Sequence, residues 1–148
     1  MKKQIISALL SLSSLSLALG SLPNWPLPAR AAELYWQKDF QTGLKLAKQT
    51  NKWVFVVISA EWCGPCKALH AKVLPDPTVE AFLGKNFVSI DLNADDAEPA
   101  SMLEKYGAPG SPCLMVFSPS GQFKGKFVGA PPNAESFIRT VSAIVSAR

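Results

Sequence analysis

The sequence predicts an α/β fold in which a central mixed sheet of four to five strands has helices on both faces. Segments with strand character alternate along the chain with segments whose apolar residues recur at helical spacing. One strand segment, Trp53 to Ile58, is apolar throughout, as expected of a strand that is covered on both faces. The last two strand segments flank a Ser-Pro-Ser-Gly turn, which indicates a closing hairpin.

The composition fits one globular domain that follows an amino-terminal leader. The chain has 148 residues, of which 48% are hydrophobic, and it carries charges of both signs. Its formal net charge of +4 comes from 15 basic and 11 acidic residues, but Lys2, Lys3 and Arg30 lie in the segment that we expect to be removed. Without those three residues the net charge is +1, so no nucleic-acid-binding surface is indicated.

Residues 1–31 have the features of an export signal. Two lysines give a charged start, Ile5 to Leu19 form an apolar stretch, and Ala29-Arg30-Ala31 matches a small-x-small cleavage site. We expect cleavage there, which leaves residues 32–148 as a single domain. An earlier cut after Gly20 and an uncleaved membrane anchor are the alternatives. The anchor is disfavoured because fifteen residues that include five serines are short and polar for a bilayer span, which needs about 20 apolar positions.

The sequence of the first part of the domain predicts a strand, a helix and then the central strand. Leu34 to Trp36 is interpreted as a short edge strand or an extended lead-in. Asp39 is placed to cap a helix that ends near Asn51. The apolar run Trp53 to Ile58 then enters the centre of the sheet.

Two helices are predicted after the central strand. The first has an apolar stripe at helical spacing, formed by Cys66, Leu69, His70, Val73 and Leu74. Pro75 ends this helix. Asp76-Pro77 begins the second, with the aspartate as cap and the proline at the first helical position.

The sequence patterns in the rest of the chain predict three strands, two helices and an acidic loop. In order, these are the strand Phe87 to Leu92, the acidic loop Asn93 to Pro99, the short helix Ser101 to Tyr106, the strands Cys113 to Phe117 and Gln122 to Val128, and a terminal helix capped by Asn133.

Two cysteines separated by two residues, Cys63 and Cys66, lie between the central strand and the helix that follows it. A thiol at the first turn of a helix is close to unpaired backbone amides and the positive end of the helix dipole, which lower its pKa and make it a nucleophile. Cys63 is therefore the predicted attacking thiol. Cys66, about one helical turn away, is placed to resolve the mixed disulfide that results, so the pair can alternate between dithiol and disulfide.

The run Trp62 to Lys67 resembles the active site of the thioredoxin superfamily, which reads W-C-G-P-C-K and matches at all six positions. Lys105-Tyr106-Gly107 followed by Gly110-Ser111-Pro112 is similar to the approach to that family's cis-proline loop. Phe127 to Ala130 is similar to its last strand and exit, so the resemblance extends from about Leu34 to Arg148. Asp76 to Val79 is similar to exported members, such as the reducing domain of the transmembrane thiol:disulfide interchange protein.

The resemblance implies a thioredoxin fold and a set of residues that support the active site. Pro112 would be the cis-proline, with Ser111 pairing with an extended substrate, and Trp62 would flank the attacking cysteine. Gly64-Pro65 between the cysteines is typical of reducing members, since thioredoxin has a reduction potential of about −270 mV and the strongly oxidising exported enzyme about −120 mV.

These features together predict an exported, monomeric thiol:disulfide oxidoreductase of the bacterial periplasm or an equivalent compartment, acting as a reductase. Its substrates would be proteins with disulfides, its electron donor a membrane protein, and it would need no cofactor or metal. Four alternatives stay open: an oxidase or isomerase, a structural disulfide, an interaction module without turnover, and a metal-binding module using Cys63, Cys66 and Cys113 with His70 as a fourth ligand.

Cys113 makes the cysteine count odd. It is interpreted either as a buried apolar residue at the start of a strand or as a third thiol beside the active site, where the family has threonine.

One position departs from the family pattern. Thioredoxins have a buried aspartate six residues before the first cysteine, where it manages the proton of the resolving thiol, and this chain has Val57 there. His70, one turn after Cys66, is a candidate to accept that proton because an imidazole titrates near neutral pH. Glu61 is a second candidate. The alternative is that His70 lies at the edge of the apolar face and bonds to solvent or backbone.

Overall fold

The computed structural model describes residues 34–147 and contains, within them, one five-stranded mixed sheet. Its strands are β1 (Trp36–Gln37), β2 (Trp53–Ser59), β3 (Phe87–Asn93), β4 (Cys113–Phe117) and β5 (Phe123–Val128). They lie in the order β1-β3-β2-β4-β5. Strands β1 and β2 run parallel to β3, whereas β4 is antiparallel to both β2 and β5. The predicted mixed sheet with a central β2 and a closing hairpin is confirmed.

Helices cover both faces of this sheet, as the sequence predicts. They are α1 (Phe40–Thr50), α2 (Gly64–Ala68), which continues directly into a π-helical segment (Leu69–Val73), α3 (Pro77–Asn86), α4 (Ala97–Lys105) and α5 (Ala134–Ser146). No helix within residues 34–147 is long and apolar enough to cross a membrane. The predicted export signal and its cleavage site lie outside the described residues.

The two faces of β2 take part in two separate hydrophobic clusters. On one face, Val56 packs in a cluster that includes Phe40 from α1 and Met102 from α4. On the other, Phe55 and Val57 pack in a cluster with residues of the π-helical segment, α3 and α5. Because residues of β2 from Val54 to Ile58 are fully buried, this strand needs the uninterrupted apolar run that the sequence shows. It is the rigid support on which the active-site helix begins.

Side-chain caps begin three of the helices as predicted. Asp39, Asp76 and Asn133 each accept a hydrogen bond from a backbone amide two or three residues further on. Such caps satisfy amide groups that have no partner inside the helix. The predicted starts of α1, α3 and α5 are therefore confirmed.

The structure corrects the prediction for the acidic loop. Helix α4 begins at Ala97, not at Ser101, so part of the segment Asn93 to Pro99 is helical. Pro99 lies in the first turn, where a helix needs no amide donor, and therefore does not prevent the earlier start. The loop between β3 and α4 is shorter than predicted, which brings its carboxylates close to the end of the sheet.

The helix that carries Cys66 also differs from the regular helix that its periodicity predicts. After Ala68 it widens into the π-helical segment, in which the Leu74 amide donates to the Leu69 carbonyl over 3.0 Å. Leu69, Val73 and Leu74 are buried as predicted. His70 is the exception, because its side chain is 36% exposed and lies at the edge of the buried face. Segments of this type are frequent at functional sites.

Candidate active site

Cys63 lies between the end of β2 and the start of α2. The chain turns after Ser59, and the Cys63 amide donates a hydrogen bond to the Ala60 carbonyl over 3.2 Å. Cys63 is the N-cap residue of α2 and has an extended backbone. Pro65 follows in the first turn, a position where the missing amide of proline costs no helical hydrogen bond. The local sequence therefore holds the Cys63 sulfur at a helix start, as predicted.

A disulfide joins Cys63 and Cys66, whose Cα atoms are 5.2 Å apart. The backbone amide of Cys66 donates a hydrogen bond to the Cys63 sulfur over 3.3 Å. In the dithiol state the same amide would stabilise a thiolate on Cys63, because a hydrogen bond from a backbone amide to an anion is stronger than one to a neutral acceptor.

Both cysteines lie mostly below the surface. As whole residues, Cys63 is only 6% exposed and Cys66 only 1%, because both pack in a small cluster with Ala60 and partly buried Ala94. Cys66 is the more deeply buried of the two. Gly64 and Pro65, between them, are exposed, and a Cβ atom added at Gly64 would meet no other atom within 4 Å. The surface beside the disulfide is therefore open to a partner.

Ser111 and Pro112 lie against the disulfide. The peptide bond between them is cis, as the resemblance implies. The carbonyl oxygen of Ser111 is 3.4 Å from the Cys63 sulfur, and the Pro112 carbonyl accepts a hydrogen bond from the Gly129 amide over 2.8 Å. The loop before β4 is thus fixed to the exit of β5 and brings a main-chain segment next to the sulfur that is predicted to attack.

Trp62 is 73% exposed beside the disulfide. Its indole nitrogen is 3.2 Å from both carboxylate oxygens of Asp95. The sequence does not single out Asp95, for which the only signal is its position in the acidic segment after β3. This contact fixes the orientation of the indole while leaving its ring on the surface.

His70 lies on the other side of Cys66, in a cleft of about 650 Å³ that both residues line. Its Nε2 atom is 3.1 Å from the Ser59 hydroxyl and 3.9 Å from a carboxylate oxygen of Asp91. His70 therefore contacts strand β2 through Ser59. Glu61, the second candidate for the proton acceptor, is exposed and also lines the cleft. Ser59 and Asp91 carry no signal in the sequence that assigns them to this site.

Cys113 is fully buried at the start of β4. It belongs to the hydrophobic cluster on the α1 and α4 face, not to the small cluster that holds Cys63 and Cys66. Burial raises the pKa of its thiol to about 11, with a smaller opposing effect of the Lys126 charge. Within residues 34–147, no group of three or more His, Cys, Asp or Glu side chains is arranged to hold a metal ion. Cys113 thus has the environment of an apolar core residue.

The arrangement is suited to thiol–disulfide exchange. A disulfide lies at a helix start, one of its sulfurs borders a main-chain segment, and the surface around it is open. A thiolate formed at Cys63 can attack a disulfide sulfur, and Cys66 is within bonding distance to displace the product.

Comparison with known proteins places this geometry among thioredoxin-like domains. Residues 35–119 match the family described as thioredoxin-like. Among solved structures, a thioredoxin from Thermus thermophilus superimposes with a TM-score of 0.67 and 28% sequence identity, covering 78% of this chain and 92% of that one.

Two curated relatives extend the comparison. The thiol:disulfide interchange protein DsbD 2 of Pseudomonas aeruginosa is 34% identical over 80 residues, which are 53% of this chain and 14% of the relative. A thioredoxin of Aspergillus fumigatus is 36% identical over 87 residues, or 58% of this chain and 74% of that protein. The chain therefore spans about one seventh of the interchange protein and most of the thioredoxin.

Proposed function

Because the chain belongs to the thioredoxin-like family, we propose that it is an exported thiol:disulfide oxidoreductase that reduces protein disulfides. The observation that carries this proposal is the Cys63–Cys66 disulfide at the start of a helix, with its Cys63 sulfur against the Ser111 carbonyl. A purely structural disulfide is a weaker explanation, because it would close a loop of few residues and so constrain the unfolded chain little.

The reaction uses the two cysteines in turn. The Cys63 thiolate attacks one sulfur of a substrate disulfide, and the other substrate sulfur leaves as a thiolate. The Cys66 thiolate then attacks Cys63, so that the Cys63–Cys66 disulfide forms and the second substrate sulfur leaves. Two electrons pass from the protein dithiol to the substrate, and both departing thiolates take up protons.

The residues around the disulfide recognise the substrate in this proposal. Ser111 offers backbone groups to an extended segment of the substrate, next to the Cys63 sulfur that its carbonyl borders. The exposed Trp62 ring provides an apolar contact, and Gly64 with Pro65 leaves an approach to Cys63 free of side-chain bulk.

The direction of electron flow is the finer part of the proposal. Gly64-Pro65 is the dipeptide that the resemblance associates with reducing members, and the matched relatives include proteins named thioredoxin. Residues 1–31 have the features of an export signal, and part of the chain is similar to proteins named as thiol:disulfide interchange proteins. A reductant outside the cytoplasm must receive electrons, and a membrane protein that carries them outward is the proposed donor.

The reduction potential tests the direction. The protein is equilibrated with mixtures of reduced and oxidised glutathione, and the fraction of Cys63–Cys66 disulfide is measured by alkylation and mass spectrometry. We expect a value nearer the roughly −270 mV of thioredoxin than the roughly −120 mV of the exported oxidant. A value above the roughly −180 mV of disulfide isomerase would contradict a reductase and favour an isomerase or oxidase.

Export is tested separately by the mass of the protein that is recovered from cells expressing the full chain. Cleavage after Ala31 removes the first 31 residues. A product that retains Met1 would contradict cleavage.

A further inference from the structure

The cleft behind Cys66 contains more ionisable groups than the exchange reaction at Cys63 requires. Its lining includes Cys66, His70 and Asp91, together with Lys38 and Ser59. It is open to solvent, and Ser111, whose carbonyl borders the Cys63 sulfur, is not among the residues that line it. The buried resolving thiol is therefore next to a solvated, charged space and is not sealed in an apolar core.

Asp91 lies next to position 57, where the family pattern has a carboxylate and this chain has Val57. Strands β2 and β3 are parallel, and Val57 is directly paired with Asp91 in their register. Residues paired in this way project from the same face of a sheet, and the strands are about 4.8 Å apart. The side chain of Asp91 is thus displaced by one strand from position 57, on the face that holds the active-site helix.

Contacts within the cleft connect this carboxylate to His70. Nε2 of His70 is 3.9 Å from Oδ1 of Asp91, which is too long for a hydrogen bond but short enough for an ion pair once the imidazole is protonated. The Ser59 hydroxyl, 3.1 Å from the same nitrogen, fixes the ring. Oδ2 of Asp91 accepts a hydrogen bond from Nζ of Lys38 over 2.6 Å, which holds the carboxylate in place.

We propose that His70 accepts the proton of Cys66 when Cys66 resolves the mixed disulfide, and that Asp91 is the positioning residue that stabilises the resulting imidazolium. The inference rests on the proposed function. In this step the Cys66 S–H bond breaks, its proton moves to the imidazole directly or through a water molecule, and the Cys66 sulfur bonds to Cys63. The bond between Cys63 and the substrate breaks, and the substrate sulfur leaves with the electron pair. The imidazolium then releases its proton to water in the open cleft.

Other charged side chains also face this space. Lys67 of α2 and Glu61 of the preceding turn line the cleft on the helix side, and Lys38 and Asp96 line it on the sheet side. Within the described part of the chain, Asp91 is the acidic group found within ion-pair distance of His70. The electrostatic effect on a protonated His70 should therefore come mainly from Asp91, with Lys38 partly opposing it.

A purely structural role for Asp91 is the competing explanation. The Lys38 side chain is 71% exposed, and ion pairs with one exposed partner contribute little to stability. The fold therefore gains little from a carboxylate at position 91 through this pair alone. The contact with His70 gives Asp91 a different role, the stabilisation of the imidazolium, which a stability measurement does not detect.

The test measures the resolving step itself. The reduced protein is mixed in a stopped-flow instrument with dithiobis-nitrobenzoate, which forms a mixed disulfide on Cys63 and releases one thionitrobenzoate. The first-order release of the second thionitrobenzoate is then followed from pH 5 to 9. In the wild-type protein we expect a rate that falls on the acid side, because a base that is already protonated cannot accept the Cys66 proton. His70→Ala should remove this acid inflection and slow the plateau by roughly tenfold, which is less than the 10²- to 10⁴-fold typical of a general base because water in the open cleft can also accept the proton.

Asp91→Asn removes the charge with little change of shape, so the rate of the resolving step should fall and its dependence on pH should differ from that of the wild-type protein. Asp91→Glu, which keeps the charge, should restore most of the wild-type profile. Asp96→Asn is the matched control, because it removes a carboxylate from the same cleft. Among the described contacts Asp96 has no ion pair with His70, so this variant should leave the acid inflection in place. Thermal unfolding confirms that each variant is folded.

Two outcomes would overturn the inference in distinguishable ways. If the release of the second thionitrobenzoate has a pH profile that His70→Ala and Asp91→Asn leave unchanged, the proton does not pass through His70, while the proposed function stands. If the wild-type protein forms the mixed disulfide and never resolves it, both the inference and the proposed function are contradicted.

Discussion

The backbone amide of Cys66 donates a hydrogen bond to the sulfur of Cys63 over 3.3 Å. This contact is asymmetric, because it favours negative charge on Cys63 and does nothing for Cys66. It gives a structural basis for assigning the two thiols different roles.

We predict that Cys63 is alkylated before Cys66 in the reduced protein. At pH 7 an ordinary thiol is only a few per cent thiolate, so stabilisation of the Cys63 thiolate should increase its labelling rate by roughly tenfold or more over that of the more deeply buried Cys66. Limited iodoacetamide treatment followed by peptide mass spectrometry measures the ratio. The single variants Cys63→Ser and Cys66→Ser are the controls for each site, and faster labelling at Cys66 would reverse the assigned roles.

Cys113 should be unreactive in the folded, oxidised protein. With Cys63 and Cys66 in their disulfide, Cys113 is the one thiol in a chain that has three cysteines. Its burial and its pKa of about 11 leave almost no exposed thiolate at pH 8. We expect no reaction with Ellman's reagent in buffer and one thiol per chain in denaturant. Rapid reaction in buffer would show that Cys113 is accessible and revive its role as a third active-site thiol.

Acid should weaken the fold partly through two helix caps. Hydrogen bonds from the Thr42 side chain and amide lower the pKa of Asp39, and those from Thr78 do the same for Asp76. A carboxyl group with a lower pKa in the folded state contributes stability that is present above its unfolded pKa, near 3.8, and is lost as the pH falls through the lowered folded pKa.

Urea unfolding between pH 7 and pH 2 measures this contribution. Asp39→Asn and Asp76→Asn keep a capping oxygen but cannot titrate. We expect both variants to lose less stability than the wild-type protein over the acid range. Equal losses in variants and wild type would show that these caps do not contribute to the pH dependence.

Val57 should not tolerate the carboxylate that the family pattern has at this position. Val57 is fully buried and is paired with Asp91 on the neighbouring strand, so Val57→Asp would place two carboxylates about 5 Å apart. We expect a loss of about 3 kcal/mol or more in the free energy of unfolding. Val57→Thr, which has a similar shape, is the control. Adding Asp91→Asn to Val57→Asp should recover part of the loss, and a double variant no more stable than the single one would contradict the pairing.

The sequence predicts the framework of this protein better than the surroundings of Cys66. The burial of β2 on both faces, the three side-chain caps and the turn of the closing hairpin are each encoded within a few neighbouring residues, and the structure confirms them. The sequence does not indicate the earlier start of α4, because a proline at position 99 favours a loop unless it lies in the first turn of a helix, where proline is accepted.

The contacts among His70, Ser59 and Asp91 depend on features that local patterns do not contain. They require the parallel register of β2 and β3, and they require the π-helical segment. That segment has five residues, which are too few to produce a recognisable periodic pattern in the sequence. The burial of Cys63 likewise depends on distant parts of the chain. The residues that cover it, Ala60, Ala94 and Ser111, come from three separate parts of the chain.

Trapping of substrates decides whether Cys63 is the thiol that attacks substrate disulfides. The full chain, with its own amino-terminal segment, is expressed as the Cys66→Ser variant, and proteins linked to it by disulfides are separated without reductant and identified by mass spectrometry. We predict mixed disulfides through Cys63 that dithiothreitol releases and that are missing from the Cys63→Ser/Cys66→Ser double variant. Mixed disulfides that form through Cys66 in a Cys63→Ser variant, with none in Cys66→Ser, would contradict it.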